Sequence, residues 1–227
     1  AGIDVILVGD SASNVMAGHE TTLPITLDQM IYHASSVVRA IDRALVVVDL
    51  PFGSYQGNSI EALNSAIRVM KESGGHSVKL EGGAEIIESI ERILTAGIPV
   101  MGHLGLTPQS VNMVGGWRVQ GKTEEVANQL VQDAKNLESA GIFSLVLELV
   151  PSDLAQKITN ELTIPTIGIG AGPHTSGQVL VFQDVLGMNP DFNPTFLRKY
   201  MDGFSMILGA LNKYTKDVKS GEFPNGE

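Results

Sequence analysis

The sequence contains no cysteine, which excludes disulfide bonds, thiolate metal sites and a cysteine nucleophile. Basic residues are scarce: 15 Lys and Arg stand against 25 Asp and Glu, giving a net charge of −10 at pH 7. This balance argues against a general nucleic-acid-binding protein, since neutralising phosphates requires a basic surface. Long, purely apolar runs are also missing. Residues 96–117 and 162–183 lack charge but contain proline, glycine and polar side chains, so neither is expected to be a membrane helix.

The composition is otherwise that of a folded globular protein. Hydrophobic residues make up 43% of the 227 positions, the mean hydropathy is +0.14, and only 18% are charged, which argues against global disorder. No linker interrupts the chain, so we predict a single domain over residues 1–227 that includes C-terminal helices from about residue 193. The first residues carry neither the basic flank nor the apolar run of a signal peptide, and we expect a cytoplasmic protein.

Short apolar, β-branched runs recur along the sequence and predict β-strands. Their apolar residues are nearly continuous rather than alternating, which is typical of strands buried on both faces of a parallel sheet. The predicted strands cover residues 4–9, 44–49, 77–81, 99–104, 144–150, 166–170 and 178–183.

Amphipathic helices are predicted between these strands. Thr26 and Gln29 form a capping box before one apolar stripe. Asn58 or Ser59 begins the next helix, and Thr123 begins a later one. Regular alternation of strand and helix indicates an α/β fold with a parallel sheet, either open and doubly wound or closed into a barrel. Seven strands in about the length of a barrel favour a (β/α)8 TIM barrel with one strand unaccounted for.

Charged side chains stand where the predicted strands end. In a parallel α/β fold these ends gather on one face, and that face carries the site. Four carboxylates in one confined site would repel one another unless a proton or a cation compensates them. Oxygen ligands without cysteine suit Mg2+, and a neighbouring lysine could neutralise a substrate carboxylate or a developing enolate oxygen. The residues concerned are Asp10, Asp49, Lys79, Glu81, His103 and Glu148.

Several of these residues also have a purely structural interpretation. Asp10 could be a turn or helix-cap residue, and His103 could hydrogen-bond a neighbouring backbone carbonyl. Glu148 is flanked by leucines, and a structural salt bridge with Lys79 would compensate its burial. The joint occurrence of acids at four strand ends favours a functional site over these alternatives.

Three further features are open to interpretation. The glycine-rich segment 168–172 could cradle a phosphate or simply relieve steric crowding at a strand end. Trp117 lies in a glycine-rich connection, residues 114–121, that fits a mobile loop over the site. Asp133, Glu138 and Asp202 lie on predicted helices and are interpreted as solvated.

Six sequence runs, in order and over nearly the whole chain, resemble the ketopantoate hydroxymethyltransferase family. Together they are far more specific than any single motif. The runs are Val8-Gly9-Asp10-Ser11, Gly18-His19-Glu20-Thr21-Thr22-Leu23-Pro24, Asp49-Leu50-Pro51-Phe52, Val78-Lys79-Leu80-Glu81-Gly82-Gly83, Gly102-His103-Leu104-Gly105-Leu106-Thr107-Pro108-Gln109 and Ile167-Gly168-Ile169-Gly170-Ala171-Gly172.

The resemblance implies a (β/α)8 barrel with a defined activity. Members of the family transfer a one-carbon unit from 5,10-methylenetetrahydrofolate to 3-methyl-2-oxobutanoate, which gives 2-dehydropantoate in pantothenate and coenzyme A biosynthesis. They use Mg2+ and are usually homodecamers of two five-membered rings. The expected partners are therefore a 2-oxo acid, a folate and further copies of the chain, without nucleic acid or membrane.

The resemblance also implies roles for the residues at the strand ends. Asp10, Asp49 and Glu81 match the metal-associated acids of the family. Glu148 matches the proposed general base, which removes the C3 proton of the 2-oxo acid once Mg2+ stabilises the enolate. The substrate-binding residues that the resemblance implies are Ser11, Lys79, Asp10, Asp49 and His103.

Two further expectations come from the resemblance. Family members carry a strand and a helix before the position of Asp4, so we expect an N-terminal segment to precede this sequence, because an exposed parallel edge is poorly tolerated. The alternatives to the implied function are another Mg2+-dependent 2-oxo acid enolate barrel, of the C–C lyase or phosphoenolpyruvate mutase type, and a catalytically dead oligomeric barrel. The lyases commonly use a cysteine acid, which this chain lacks.

Overall fold

The computed structural model describes residues 1–225, and their contacts divide the chain into two compact units. The first unit, Ala1–Val179, contains the whole β-sheet, and the second begins at Leu180 and contains two helices. No helix within residues 1–225 is long and apolar enough to cross a membrane.

The seven strands form one sheet in which all neighbours are parallel and the strand order follows the sequence. The sheet is curled into a half-barrel that stays open between the first and last strand within the described residues. The predicted α/β fold with a parallel, barrel-type sheet is confirmed. The strands are β1 (Val5–Val8), β2 (Leu45–Asp49), β3 (Ser77–Glu81), β4 (Val100–Gly105), β5 (Ser144–Glu148), β6 (Thr166–Ile169) and β7 (Gly177–Gln178).

The longer helices begin and end where the local sequence signals predict. Thr26 and Gln29 form the reciprocal capping box. Asn58, rather than Ser59, caps the next helix, and Gly74 ends it in the left-handed conformation. The helices are α1 (Ala12–Val15), α2 (Leu27–Val38), α3 (Ser59–Ser73), α4 (Ile87–Thr95), α5 (Val111–Val114), α6 (Glu124–Ala140), α7 (Ser152–Glu161), α8 (Phe182–Val185) and α9 (Gly203–Ser220), with 3-10 turns at Ala84–Ile86 and Pro108–Ser110.

The two faces of the sheet have different surroundings. One face packs against helices in the main core, to which Val46 and Val48 of β2 contribute. Val47, between them, points to the opposite, inner face, where it forms a small apolar cluster with Met101 and Val146. Because side chains alternate along a strand, residues two positions beyond this cluster point to the same inner face. The side chains at the ends of β2, β4 and β5 therefore lie next to this apolar cluster on the inner face of the sheet.

Two predicted elements are wrong near the end of the chain. The strand predicted over residues 178–183 is limited to Gly177–Gln178, because the chain turns at Val181 into α8. Residues 193–202, predicted as part of a helical remainder, are irregular and include a turn closed between Pro194 and Leu197. The helix α9 begins only at Gly203, where the Asp202 carboxylate caps the first turn.

The helical acids are less solvated than predicted. Asp133 is only 8% exposed, so the prediction is wrong for this residue. It packs against Gly83, where any Cβ would lie 2.7 Å from the Asp133 carboxyl carbon. Glu138 is partly buried and accepts hydrogen bonds from the backbone and hydroxyl of Thr163.

Candidate active site

The strand register brings the predicted site residues together. Asp49 at the end of β2 lies beside Lys79 of β3, and Glu81 of β3 lies beside His103 of β4. Glu148 ends the adjacent strand, β5. Asp49, His103 and Glu148 each lie two positions beyond a residue of the inner apolar cluster, so they point to the inner face of the sheet.

The Lys79 ammonium is buried among these groups. Its Nζ lies 3.1 Å from Asp49 Oδ1 and 3.7 Å from Glu81 Oε1. It also lies 3.1 Å from His103 Nδ1. Lys79 therefore pairs with the acids of β2 and β3 rather than with Glu148, and the structural salt bridge considered for Glu148 is not observed.

The His103 ring lies between two carboxylates. Nδ1 is 3.3 Å from Glu81 Oε1, and Nε2 is 3.3 Å from Glu148 Oε2, although the latter contact lacks the angle of a hydrogen bond. His103 thus contacts site side chains, not the backbone carbonyl of the structural interpretation. Glu148 has a side chain that is 14% exposed, against 3% for His103, so it is the more accessible end of this chain of contacts.

Asp10 enters the same cluster from the end of β1. Its backbone amide donates a 3.0 Å hydrogen bond to Asp49 Oδ2, and its buried carboxylate accepts one of 2.9 Å from Gln109 Nε2. Ser11, not Asp10, occupies the N-cap position of α1 and is half-buried beside the cluster. The Asp10 side chain therefore serves the cluster rather than a helix cap.

Burial and mutual repulsion shift the pKa values of these groups. Burial raises the pKa of Asp10 to about 8, and the charges of Asp49 and Glu81 add to the rise. Burial also raises the pKa of Asp49, against the opposing effect of Lys79. Although burial acts to lower it, the carboxylates on either side of the ring raise the pKa of His103 to about 9.

The cluster as a whole is short of positive charge. Although burial acts to lower it, the surrounding carboxylates raise the pKa of Lys79. Burial acts to raise the pKa of Glu81, but the nearby His103 and Lys79 lower it below its ordinary value. Four carboxyl groups, from Asp10, Asp49, Glu81 and Glu148, thus face two basic side chains, and a divalent cation would balance them.

The donor atoms suit such a cation. Among the hydrogen bonds of residues 1–225, those to the Asp10 carboxylate reach only Oδ2, whereas Asp49 Oδ1 is paired with Lys79 Nζ at 3.1 Å. Both oxygens of Glu81 are engaged by neighbouring groups. No group of three or more acidic or histidine side chains in the described residues could hold a metal ion by itself. Mg2+ commonly takes one or two protein carboxylates and keeps water or substrate oxygens, so Asp10 and Asp49 fit it.

Comparison with known proteins gives the relationship directly, because a model described as ketopantoate hydroxymethyltransferase matches residues 1–226. The chain belongs to this family. A 3-methyl-2-oxobutanoate hydroxymethyltransferase of Cytophaga hutchinsonii is 67% identical over 99% of this chain and 83% of its own length. That of Flavobacterium johnsoniae is 65% identical over the same shares. The chain is accordingly an enzyme of the ketopantoate hydroxymethyltransferase family, as the sequence runs predicted.

Solved structures of more distant proteins share the fold. A putative phosphonomutase from Burkholderia cenocepacia J2315 superimposes with a TM-score of 0.58 at 16% identity, covering 96% of this chain and 86% of its own. A 2,3-dimethylmalate lyase, a member of the PEP mutase/isocitrate lyase superfamily, gives 0.57 at 15% identity, with 100% and 78% coverage. At these identities the likeness establishes the fold alone.

Sequence reasoning missed two buried polar residues of this ketopantoate hydroxymethyltransferase family member. Gln109 and Tyr55 lie against the acids, and both are at most 6% exposed. The Tyr55 hydroxyl accepts from the Glu81 amide at 3.1 Å, and its single proton is shared between the Glu81 carbonyl at 3.0 Å and Gln109 Oε1 at 2.8 Å. Gln109 stands inside one of the runs that carry the family resemblance, and a glutamine directly after Pro108 in a stretch without Asp, Glu, Lys or Arg was the available signal.

The backbone around Glu148 is held from several sides. Leu149 is the one non-glycine residue within residues 1–225 with a positive φ, of 45°. Its amide donates to the Ile169 carbonyl at 2.9 Å, and its carbonyl accepts from the Gln120 amide at 2.8 Å. Gly105, with φ of 97°, lies so close to the Glu148 carbonyl that any Cβ would collide with it. These contacts fix the direction in which Glu148 leaves the strand.

The glycine-rich segment after β6 accommodates neighbouring side chains. A Cβ at Gly168 would lie 2.6 Å from Thr175 Oγ1, and one at Gly172 would collide with Ser152. Steric relief, one of the two interpretations of this segment, therefore explains both glycines. Trp117 is exposed, and its role in a loop over the site stays a prediction.

Proposed function

We propose that this protein transfers a hydroxymethyl group from 5,10-methylenetetrahydrofolate to 3-methyl-2-oxobutanoate, giving 2-dehydropantoate and tetrahydrofolate. The proposal rests on the family, whose relatives at 62–67% identity carry the name 3-methyl-2-oxobutanoate hydroxymethyltransferase. The observation that carries it is the contact chain at the sheet edge. Asp49, Lys79, His103 and Glu148 come from four adjacent strands, and successive members lie 3.1–3.3 Å apart.

In this proposal two acids hold the metal: Asp10, which follows β1, and Asp49, which ends β2. Asp10 would bind Mg2+ directly through Oδ1, which accepts no hydrogen bond among the described residues, and Asp49 would do so by exchanging the Lys79 contact of its Oδ1 for the metal. Glu81, whose two oxygens already have neighbours, contributes charge from the next position. Bound Mg2+ supplies electrophilic stabilisation of negative charge that develops on the 2-oxo oxygen.

The remaining side chains bind the substrate and move its proton. Lys79, held in its charged form by the surrounding carboxylates, attracts the substrate carboxylate together with Ser11 at the end of β1. Glu148 removes the C3 proton, since its side chain is the most accessible carboxylate of the cluster. His103 contacts Glu148 and keeps it oriented towards the pocket. Water supplies the hydroxyl oxygen: the two C–N bonds that hold the methylene carbon to the folate break, and the two protons of this water go to the two folate nitrogens. The carbon nucleophile forms the new C–C bond with the released one-carbon unit, and the resulting alkoxide takes up the proton removed from C3.

The activity is tested by incubating the full-length protein with Mg2+, 3-methyl-2-oxobutanoate and methylenetetrahydrofolate. We expect 2-dehydropantoate by mass spectrometry, and no product without either organic substrate. Formation of a different product from the 2-oxo acid would favour another enolate-forming barrel enzyme. Absence of any turnover would overturn the proposed function.

The base assignment has a separate test. In D2O, the protein with Mg2+ should exchange the C3 proton of 3-methyl-2-oxobutanoate without folate, as followed by proton NMR. Glu148→Gln should slow this exchange by about 100-fold or more, since a positioned base contributes on that scale. Glu161→Gln, which removes an acid paired with Lys135 on α6, should exchange at the wild-type rate. Equal exchange by wild type and Glu148→Gln would show that another group is the base.

We also infer that the protein acts in the cytoplasm as a homodecamer. This inference rests on the family resemblance alone. Native mass spectrometry of the purified full-length protein should show a decamer, and a dimer or tetramer as the largest species would contradict it.

A further inference from the structure

Gln109 lies at the centre of the acid cluster although it carries no charge. It belongs to the 3-10 turn Pro108–Ser110 that follows β4. Its backbone amide donates a 3.0 Å hydrogen bond to Glu81 Oε2. Its side chain reaches the other side of the cluster, where Nε2 donates to Asp10 Oδ2 at 2.9 Å. One residue thus contacts both the first and the third of the predicted metal-associated acids.

The hydrogen-bonding capacity of the Gln109 amide group is fully used. Its second Nε2 hydrogen is donated to the Leu50 carbonyl at 2.9 Å. Its Oε1 accepts from Gln56 Nε2 at 2.8 Å and lies 2.8 Å from the Tyr55 hydroxyl, whose single proton it shares with the Glu81 carbonyl. Both Nε2 hydrogens are therefore donated and Oε1 faces two donor groups, and rotating the amide by 180° would place nitrogen against nitrogen and oxygen against oxygen. The amide has a single compatible orientation, which presents N–H to Asp10.

The chemistry of an amide suits this position. A lysine or arginine would also donate to Asp10, but its charge would compete with a divalent cation for the carboxylate. The neutral Gln109 donor fixes Asp10 Oδ2 without adding a positive charge that would compete with the cation. With Oδ2 held, Oδ1 is the oxygen of Asp10 that is open to a ligand.

We propose that Gln109 is a positioning residue of the divalent-cation site: it orients the Asp10 carboxylate and couples it to Glu81 through the buried Tyr55 hydroxyl. This inference rests on the proposed function, because it concerns the Mg2+ site assigned there. Tyr55 belongs to the same hydrogen-bond network, since its hydroxyl contacts both Gln109 Oε1 and the backbone of Glu81. Gln109 acts on the metal through Asp10 and does not bind it.

The test measures Mn2+ affinity in the substrate-free, full-length protein by electron paramagnetic resonance of the free ion. Gln109→Met preserves the length of the side chain and removes its four hydrogen bonds. We expect Mn2+ affinity to fall about 10- to 100-fold, the usual effect of losing a partner of a metal ligand. Tyr55→Phe, which removes one hydroxyl and no contact with Asp10, should weaken binding in the same direction but less.

The chain offers a matched control for Gln109→Met. Gln129 Nε2 donates to Asp133 Oδ1 at 3.0 Å, which is the same pair of side-chain types, on helix α6. Gln129→Met should therefore leave Mn2+ affinity unchanged, whatever it costs in thermal stability. An affinity loss in both glutamine variants would mean that general destabilisation is the cause, and would overturn the positioning role.

The outcomes separate this inference from the proposed function. If wild type binds Mn2+ and both Gln109→Met and Tyr55→Phe bind it equally well, the proposed metal site stands and the role of Gln109 is wrong. If Gln109→Met does not fold, Tyr55→Phe decides alone, with unchanged affinity counting against the inference. If wild type binds no Mn2+ at millimolar concentration, the metal site itself fails, and the inference fails with it.

Discussion

The Lys79 ammonium lies 3.1 Å from Asp49 Oδ1, with both side chains at most 4% exposed. A charged pair buried so deeply is stable only while each partner compensates the other. The sheet register makes the pair, because Asp49 and Lys79 are directly adjacent on β2 and β3. Lys79 therefore compensates the buried negative charge of Asp49.

Lys79→Met should destabilise the protein strongly in the absence of divalent ions. The variant leaves Asp49 and Glu81 without their nearest cation, and removing one partner of a buried pair costs about 3–5 kcal/mol. Mg2+ should restore more stability to the variant than to the wild type, because it replaces the lost positive charge. Urea unfolding with EDTA and with Mg2+ measures both effects.

The matched control is Lys135→Met. Lys135 pairs with Glu161 at 2.6 Å on the surface, where solvent screens the ion pair. Its stability should change little and should not respond to Mg2+. A Lys79→Met variant as stable as this control would contradict the assigned role of Lys79.

Gly105→Ala should lower the free energy of unfolding more than Gly97→Ala, which places an alanine at a glycine with a similar φ. Gly105 and Gly97 have φ values of 97° and 87°, so both variants carry the penalty of a left-handed backbone, about 1–2 kcal/mol. Only at Gly105 would the new Cβ collide with the Glu148 carbonyl, whereas at Gly97 it meets nothing within 4 Å. We expect Gly105→Ala to lose roughly 1–3 kcal/mol more than Gly97→Ala in urea unfolding.

The two glycine variants should also differ in the rate at which they exchange the C3 proton of the substrate. Displacing the Glu148 carbonyl redirects the Glu148 side chain, so Gly105→Ala should slow C3 proton exchange of 3-methyl-2-oxobutanoate. Gly97→Ala leaves the β5 end untouched and should exchange at the wild-type rate. Equal exchange rates in the two variants would show that Gly105 does not control the position of Glu148.

Glu138 should make the stability of the protein depend on pH. Its Oε1 accepts hydrogen bonds from Thr163 N, Thr163 Oγ1 and Ile164 N, at 2.6, 2.8 and 3.2 Å. Burial acts to raise its pKa, but these three donors lower the pKa of Glu138 below the ordinary value of 4.5. The carboxylate therefore stabilises the fold fully above about pH 4.5, and this contribution disappears as the pH falls through the lowered pKa.

Glu138→Gln should accordingly be less stable than the wild type at pH 7 by about 1 kcal/mol, after allowance for solvent screening at this partly exposed site. The difference should shrink as the pH decreases below 4.5, and urea titrations between pH 7 and pH 3 measure it. A difference that stays constant over this range would assign the effect to packing rather than to charge.

Much of the fold was predictable because its signals are local. Strand β3 has the predicted bounds, 77–81, since a short strand bounded by glycines on both sides needs no distant partner to be recognised. The cap at Asn58 and the ends at Gly74 and Gly141 likewise depend on a few neighbouring residues. The failures lie at residues 178–183 and 193–202, where apolar residues occur without a clear period and a turn decided the path.

The site was predictable as a set of residue types at strand ends but not as a set of contacts. A sequence shows that Glu148 is an acid after an apolar run, and it does not show whether Lys79 or His103 compensates it. The structure decides for His103, because adjacent strands place the ring beside Glu148. Asp133 shows the same limit of prediction from sequence. It is buried against Gly83, which is distant in the sequence and has no side chain to occupy that space.

The sequence by itself determined the strand and helix pattern, the negative charge, the family and the positions at which acids end the strands. Those properties follow from periodicity, composition and short motifs, which act over a few residues. Only the tertiary structure decided how the acids are held. Gln109 and Asp10 are 99 residues apart in the chain and 2.9 Å apart in space, and that contact exists because parallel strands bring their carboxyl ends to one edge of the sheet.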